Sequence, residues 1–341
     1  MSGRIRVVAA DDSTTARQLI VALLSADPEI SVVGEAANGV EAVELTRRLR
    51  PDAVTMDVHM PRLDGFEATK QIMMEVPTPI IIVSATIDER DVAASMHALR
   101  AGALTVLAKP SAPSAADFED NAAALVAAVK QLSQVKVVRH WPERKVRTAA
   151  ARASRPRAVA IAASTGGPAA VYRLLAELPG DFPAPILVVQ HIARGFLGGF
   201  AAWLDDASAL HVAVARDGEP LEPGRVYVAP EDRHLGVSGQ LTVETRLGPP
   251  IGGFRPAATH LFASLAGLGA SGLAVLLTGM GSDGVEGLLA MRRAGGVVLV
   301  QDEESSVVFG MPAAAIAAGA ASEVLPLGRM AARIVDLSGG S

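Results

Sequence analysis

Short apolar runs, each closed by a polar residue and followed by a helix-period segment, recur along the chain. Ile5 to Ala10 ends in Asp11-Asp12. Ser13 then suits the cap of a helix carrying Leu19, Ile20, Leu23 and Leu24 on one face. Ile30 to Glu35 predicts a second strand, and Gly39 to Leu49 a helix stopped by Pro51. Ala53 to Met56 predicts a third strand, ending in Asp57. Met60-Pro61 and Asp64-Gly65 come next, then a helix to Met74. Ile80 to Val83 predicts a fourth strand ending in Ser84. A helix through Met96 to Leu99 leads over Ala101-Gly102-Ala103 to a fifth strand, Leu104 to Leu107, which runs out in Lys109-Pro110. Strands alternating with helices imply a parallel sheet that gathers ligands at the carboxyl edge of its strands.

The pattern stops and then resumes. Ser111 to Ser114 reads as a Pro/Ser turn, and Ala- and Val-rich Phe118 to Leu132 as a helix. Lys136, Arg139, Arg144, Lys145, Arg147, Arg152 and Arg155 then crowd a stretch with Trp141-Pro142 in its middle. Its composition suits a solvated linker better than a nucleic-acid arm, since no helix-turn-helix pattern follows. Beyond it, Ala158 to Ala163 predicts a buried parallel strand that stops at Ser164. Thr165, Gly166 and Gly167 follow, and Pro168 suits the first position of a helix. Further strands are expected at Ile186 to Val189, ending in Gln190-His191, and at Arg225 to Ala229, ending in Pro230 with His234 just beyond. Two more are expected at Leu273 to Leu277, running into Thr278-Gly279-Met280-Gly281-Ser282-Asp283-Gly284, and at Gly296 to Val300, ending in Gln301-Asp302. Val307-Val308-Phe309-Gly310-Met311-Pro312 leads into an Ala-rich helix.

A chain of 341 residues, half of them apolar and 4% aromatic, fits two layered α/β domains. A net charge of -5 gives no reason to expect a nucleic-acid or membrane partner. The absence of cysteine excludes disulfides, a thiolate nucleophile and Cys-ligated metal. Met1 to Arg6 lacks the apolar core of a signal peptide, and no apolar run spans a bilayer uninterrupted, so a cytoplasmic protein is expected.

Chemistry concentrates at the strand ends. In the first half these deliver Asp11, Asp12, Asp57, Ser84 and Lys109 to one edge. Three close carboxylates call for a hard divalent cation. A lysine and a hydroxyl beside them suit a phosphoryl group, which an aspartate can accept covalently. In the second half, Ser164 sits at a strand end beside a helix N-terminus. That place suits a nucleophile and an oxyanion, or a turn that merely binds phosphate. A serine needs a base, and the base an orienting carboxylate. Among seven histidines His191 directly follows a buried strand, with His234 close behind. Asp283 and Asp302 are equivalent as the carboxylate by spacing.

The first half resembles a response-regulator receiver domain. The resemblance rests on Asp11-Asp12, on Met56-Asp57 with Met60-Pro61 and Asp64-Gly65, on Ser84-Ala85 and on Lys109-Pro110. It implies a flavodoxin-like (βα)5 fold in which Asp57 accepts phosphate from a chemotaxis histidine kinase. It also implies Mg²⁺ held by Asp11, Asp12, Asp57 and the backbone carbonyl of His59, with Ser84 and Lys109 as switch residues. The second half is similar to the catalytic domain of the CheB-type chemotaxis protein-glutamate methylesterases. Ser164-Thr165-Gly166-Gly167-Pro168, Val189-Gln190-His191, Val226 to Pro230, Leu277 to Gly284, Gln301-Asp302 and Val307 to Pro312 carry the likeness.

This second resemblance implies a doubly wound, mostly parallel α/β domain with Ser164 as nucleophile, His191 as base and Asp283 as its orienter. The backbone N–H groups of Thr165 and Met280 become the oxyanion donors, and His234 and Asp302 become structural. It further implies hydrolysis of glutamyl methyl esters, and deamidation of selected glutamines, on the cytoplasmic helices of chemoreceptors. The protein would be peripheral to those membrane receptors, would need no cofactor for the ester chemistry, and would be activated by phosphorylation that relieves a block by the receiver. The expected domains are a receiver over 1–125, the end of its last helix and the basic linker over 126–155, and the esterase domain over 156–341. The rival readings are a methylesterase of a non-flagellar pathway, and a non-enzymatic phosphate sink or docking module.

Overall fold

Uncharged runs rich in Val, Ile and Ala are stable as strands only where both faces are covered, and the helices between them provide the cover. The structure, a computed structural model, describes residues 4–85, 89–111, 114–115, 117–135 and 155–339. The basic stretch from Lys136 to Arg152, with Trp141-Pro142, lies outside the described residues. So do Met1 to Gly3, and Ala112 and Pro113 of the Pro/Ser turn. The chain divides into two compact units.

The first unit alternates β1 (Ile5–Ala10), α1 (Thr14–Ser25), β2 (Ile30–Ala36), α2 (Gly39–Leu49), β3 (Ala53–Met56), α3 (Gly65–Glu75), β4 (Ile80–Ser84), α4 (Glu89–Ala101), β5 (Thr105–Ala108) and α5 (Phe118–Leu132). The strands form one parallel sheet in the order β2-β1-β3-β4-β5. Side-chain caps start the helices where the strand-end loops turn back. Ala16 N–H donates to Ser13 Oγ (3.3 Å), Glu41 N–H to Asn38 Oδ1 (3.1 Å) and Glu67 N–H to Asp64 Oδ1 (2.8 Å).

The second unit contains β6 (Ala158–Ala163), α6 (Gly167–Ala176), β7 (Ile186–Gln190), α7 (Leu197–Ala207), β8 (His211–Val214), β9 (Arg225–Val228), β10 (His234–Val237), β11 (Val243–Arg246) and α8 (Ala258–Leu265). It continues with β12 (Gly272–Leu276), α9 (Val285–Arg293), β13 (Val297–Gln301), α10 (Met311–Ala317), β14 (Glu323–Leu325) and α11 (Leu327–Ser338). Seven strands form a sheet ordered β14-β13-β12-β6-β7-β9-β8, and every pair in it is parallel. β10 and β11 form a separate antiparallel hairpin. From β6 the chain winds outward through β7 on one side and returns to β12 on the other. The crevice of a doubly wound sheet therefore opens at the carboxyl ends of β6 and its two neighbours.

Small residues set the layer spacing there. Ala158, Ala160 and Ala162 of β6 share a core with Ala258, Leu261, Phe262 and Leu265 of α8 and with Leu288 and Met291 of α9. Strand alternation turns Val159 and Ile161 to the opposite layer, where α6 packs on β6 and on α11.

Four strands were not expected from the sequence: β8, β10, β11 and β14. Helix α6 begins at Gly167, one residue before the expected proline. No helix among the described residues is long and apolar enough to cross a membrane.

Close helix contact behind the crevice yields a test. A Cβ on Gly287 of α9 would lie 2.4 Å from the Thr259 carbonyl oxygen and 2.8 Å from Phe262 Cβ, both on α8. Gly287→Ala is expected to cost about 1–3 kcal/mol through overpacking. Urea unfolding of the second unit should show a lower midpoint with an unchanged slope.

Candidate active site

β6 and β7 are hydrogen-bonded neighbours with Ala163 opposite Gln190, so Ser164 and His191 are the next residues along the paired strands. His191 N–H extends the ladder by donating to Ala163 O at 3.1 Å. On the other flank of β6, Ser164 N–H donates to Thr278 O at 3.0 Å. The Thr278 hydroxyl donates to Thr165 O (2.9 Å) and accepts from Val308 N–H (2.9 Å). Gly279 is required by this close approach: a Cβ there would meet Ser164 Cβ at 2.8 Å and Met311 Sδ at 2.4 Å. The loop after β12 is thus laced to the turn at Ser164 on one side and to Val308–Met311 on the other. None of the backbone hydrogen bonds lacing these loops uses the N–H of Thr165 or Met280.

Asp283 sits at the end of that loop with its side chain fully buried. Its Oδ2 accepts from Ala258 N–H at 2.7 Å and its Oδ1 from Thr259 N–H at 3.0 Å. These are first-turn donors of α8, whose own N-cap, Ala257, has no side chain to offer them. Asp283 Oδ2 also lies 3.0 Å from His191 Nε2. Burial alone would raise the Asp283 carboxyl, but His191 and the two backbone donors outweigh it and hold the group below the usual carboxylate range.

A carboxylate can only accept, so His191 Nε2 is the donor in this contact, which in a neutral imidazole puts the lone pair on Nδ1. Nδ1 is buried and has no partner among the described residues. Phe254 lies flat against the imidazole, with ring centroids 4.1 Å apart and planes 6° from parallel. Phe254 is presented by a tight reversal, in which Ile251 and Phe254 exchange two backbone hydrogen bonds across Gly252 and Gly253, both at positive φ.

The two alternatives open in the sequence are separated by geometry. His234 is 2% exposed; its Nε2 donates to Pro249 O (3.0 Å) and its Nδ1 accepts from Ala257 N–H (3.3 Å), so both nitrogens are occupied. Asp302 accepts from Ser305 N–H at 2.9 Å and shapes its own loop. Phe254 and the α8 donors were not singled out from the sequence, and buried Gln301, whose Oε1 accepts from Thr278 N–H at 2.7 Å, was named there only as a strand end and motif residue with no role. A polar residue ending a buried strand was a signal for Gln301. Phe254 lies in a loop with no periodicity to mark it.

In the first unit the strand ends also converge. Oxygens of Asp11, Asp12 and Asp57 lie within 4.8 Å of one another. Lys109 Nζ is 2.8 Å from Asp11 Oδ2 and 3.2 Å from Asp57 Oδ2. Val58 N–H donates to Asp57 Oδ1 at 2.9 Å. Burial pushes the Asp57 carboxyl up to about 6; Lys109 opposes this and Asp11 adds to it. Three carboxylates against one ammonium leave negative charge that a hard cation of oxygen-ligand preference would offset, so the donor set fits Mg²⁺. Ser84 is buried, with its hydroxyl 3.4 Å from Ala85 O, and His59 is exposed beyond β3.

Comparison with known proteins agrees with both halves. Residues 159–334 match the family model of the CheB methylesterase, and residues 7–116 that of the response regulator receiver domain. Protein-glutamate methylesterase/protein-glutamine glutaminase 4 of Myxococcus xanthus is 54% identical over 346 residues, covering 99% of this chain and 98% of that protein. The corresponding protein 3 of Anaeromyxobacter dehalogenans is 54% identical over 337 residues, covering 97% and 98%. The crystal structure of the Thermotoga maritima CheB methylesterase catalytic domain is 39% identical, covers 54% of this chain and 100% of its own, and superposes with a TM-score of 0.52.

Asp283→Asn removes the charge that the α8 donors and His191 share. Turnover of any ester cleaved at this serine should fall by roughly 10⁴-fold through loss of the imidazole tautomer. The depressed carboxyl also carries a pH signature. Its stabilisation is complete above the ordinary carboxylate value of about 4 and is lost as pH falls through its own lower value. Chemical denaturation at a series of pH values should show the wild-type advantage over Asp283→Asn narrowing below about pH 4.

Proposed function

The chain belongs to the CheB methylesterase family and carries a response regulator receiver domain ahead of the catalytic one, and from that premise we propose that it is a protein-glutamate methylesterase and protein-glutamine glutaminase that resets chemoreceptors. The observation that carries the reading is the buried His191–Asp283 pair, with a lone pair presented on the far nitrogen of the imidazole one residue past the strand that pairs with Ser164's own. A docking module needs no such arrangement.

Ser164 Oγ attacks the carbonyl carbon of a glutamyl methyl ester as His191 Nδ1 takes its proton. The resulting oxyanion faces the N–H groups of Thr165 and Met280. Collapse breaks the C–O bond, and the imidazolium returns the proton to the departing methoxide, which leaves as methanol. Water then attacks the acyl-serine and gives its proton to His191. Ser164 leaves with that proton, and the product is glutamate. A glutamine side chain follows the same course with ammonia as leaving group. None of these steps calls on a cofactor.

The substrates are methylated cytoplasmic helices of chemoreceptors, which places the reaction in the cytoplasm at the receptors' surface and calls for neither nucleic acid nor insertion into the membrane. In the receiver, Asp57 accepts phosphate from a chemotaxis histidine kinase. Asp11, Asp12, Asp57 and the His59 carbonyl would hold Mg²⁺, which when bound neutralises charge around the phosphoryl group. Lys109 is already beside Asp57 to meet that group, and Ser84 is the residue that would turn toward it. Phosphorylation raises esterase activity, and deletion of residues 1–150 should raise its basal level.

Methanol release from methylated receptor membranes, with and without acetyl phosphate and Mg²⁺, tests this. Ser164→Ala should lose on the order of 10⁶-fold in turnover. Asp57→Ala should keep basal release and lose the stimulation. Wild-type rates in Ser164→Ala would sink the catalytic assignment, and stimulation persisting in Asp57→Ala would sink the regulatory one.

A further inference from the structure

Between nucleophile and base stands a side chain that the reaction does not consume. Gln190, the last residue of β7, is 3% exposed. Its Nε2 donates to Ser164 O at 2.8 Å and to His191 O at 2.8 Å. Both acceptors are main-chain atoms of the residues that must meet for proton transfer. The amide has only one orientation open to it, because the reverse would aim its oxygen at two carbonyl oxygens.

The other end of the amide is poorly served. Gln190 Oε1 is buried and has no partner among the described residues. It lies against the start of α6, where a Cβ on Gly167 would come within 2.2 Å of it. A buried acceptor without a donor costs free energy, so stability alone does not account for an amide at this position. Gln301, the matching residue at the end of β13, differs: its Oε1 takes Thr278 N–H and its Nε2 gives to Ser305 O at 2.6 Å, so both ends are used. Gln301 suits a residue kept for stability. Gln190 leaves its acceptor unpaired, and both of its donors are spent on the main chain of Ser164 and His191.

We infer that Gln190 is a positioning residue: its amide clamps the main chain of Ser164 to that of His191 and so sets the separation of the hydroxyl from Nδ1. The inference rests on the reading of those two residues as nucleophile and base. Placement matters at this scale, since about 1 Å of misplacement is worth on the order of 10²-fold in rate.

The test uses the full-length protein, methylated receptor membranes and methanol release, with thermal unfolding of each variant in parallel. Gln190→Met removes both donors at similar volume. It should lower kcat by about 10–100-fold with KM within about twofold of wild type, measured well below the unfolding midpoint of each variant. Gln190→Glu keeps the shape. Its carboxyl can donate one hydrogen bond when protonated and none when ionised, so its kcat relative to wild type should rise as pH is lowered. Loss of activity in Ser164→Ala and His191→Ala beside wild-type kcat in Gln190→Met overturns this inference alone. So does a fall in kcat that tracks a lowered midpoint, with a pH-independent ratio for Gln190→Glu. Full activity in Ser164→Ala overturns the reading beneath it and the inference with it.

Discussion

The Asp283 carboxylate meets three donors at once: Ala258 N–H, Thr259 N–H and His191 Nε2. An ionised group with no exposed side-chain surface is tolerable only because each contact is a charge-assisted hydrogen bond and two of them come from a helix N-terminus. The interaction joins three parts of the fold that lie far apart in the sequence. These are the loop after β12, the first turn of α8 and the residue after β7. The alanines on β6 let α8 settle onto the sheet at the depth where those donors can reach the loop. Packing in the layer behind the site thereby decides whether the imidazole has an orienter.

The two units handle an aspartate at a strand end in opposite ways. Burial raises the carboxyl in both. At Asp283, donors from two chain segments overcome it and no second carboxylate competes. At Asp57, Val58 N–H and Lys109 do not overcome it, and Asp11 opposes ionisation from nearby. The ammonium that serves Asp57 is shared with Asp11. One carboxylate is well supplied with donors, as the proposed orienting role requires. The other is under-compensated, which suits a group that gains a phosphoryl and a cation during its cycle. Similar topology and the same residue type thus give opposite carboxyl shifts according to how many donors surround the oxygen atoms.

Uncharged runs bounded by turn signals were legible as strands even when short: Ala158–Ala163 and Ala53–Met56 have the expected bounds. The strands that escaped are short. Glu323–Leu325 has three residues, and His234–Val237 and Val243–Arg246 have four each, and each carries a charged or imidazole side chain that breaks the apolar run. Ser164 and His191 were legible for the same reason as their strands, since each is the first polar group beyond a buried strand or its last residue. The choice of Asp283 over Asp302 was not. It depends on which loop passes the start of α8, a fact of tertiary packing that residue spacing does not carry. Phe254 was hidden more completely, because its stacking on His191 is set by a Gly-Gly reversal between a hairpin and a helix.

The nitrogen on which Asp283 acts has a consequence for the whole site. With Nε2 taken by Asp283, the lone pair is on Nδ1, the ring nitrogen nearer the main chain. The reach of Nδ1 is short, and its position follows the backbone of residue 191 more closely than that of Nε2 would. Side-chain rotation alone does little to move such a nitrogen; under the proposed roles, the main chain of residue 191 has to be set against that of residue 164. The backbone bond from His191 N–H to Ala163 O, the flat face of Phe254 and the neighbouring parallel strands all act on that one degree of freedom. Adjacent parallel strands supply such a setting directly, because their ladder spaces the two carboxyl ends before any side chain is chosen.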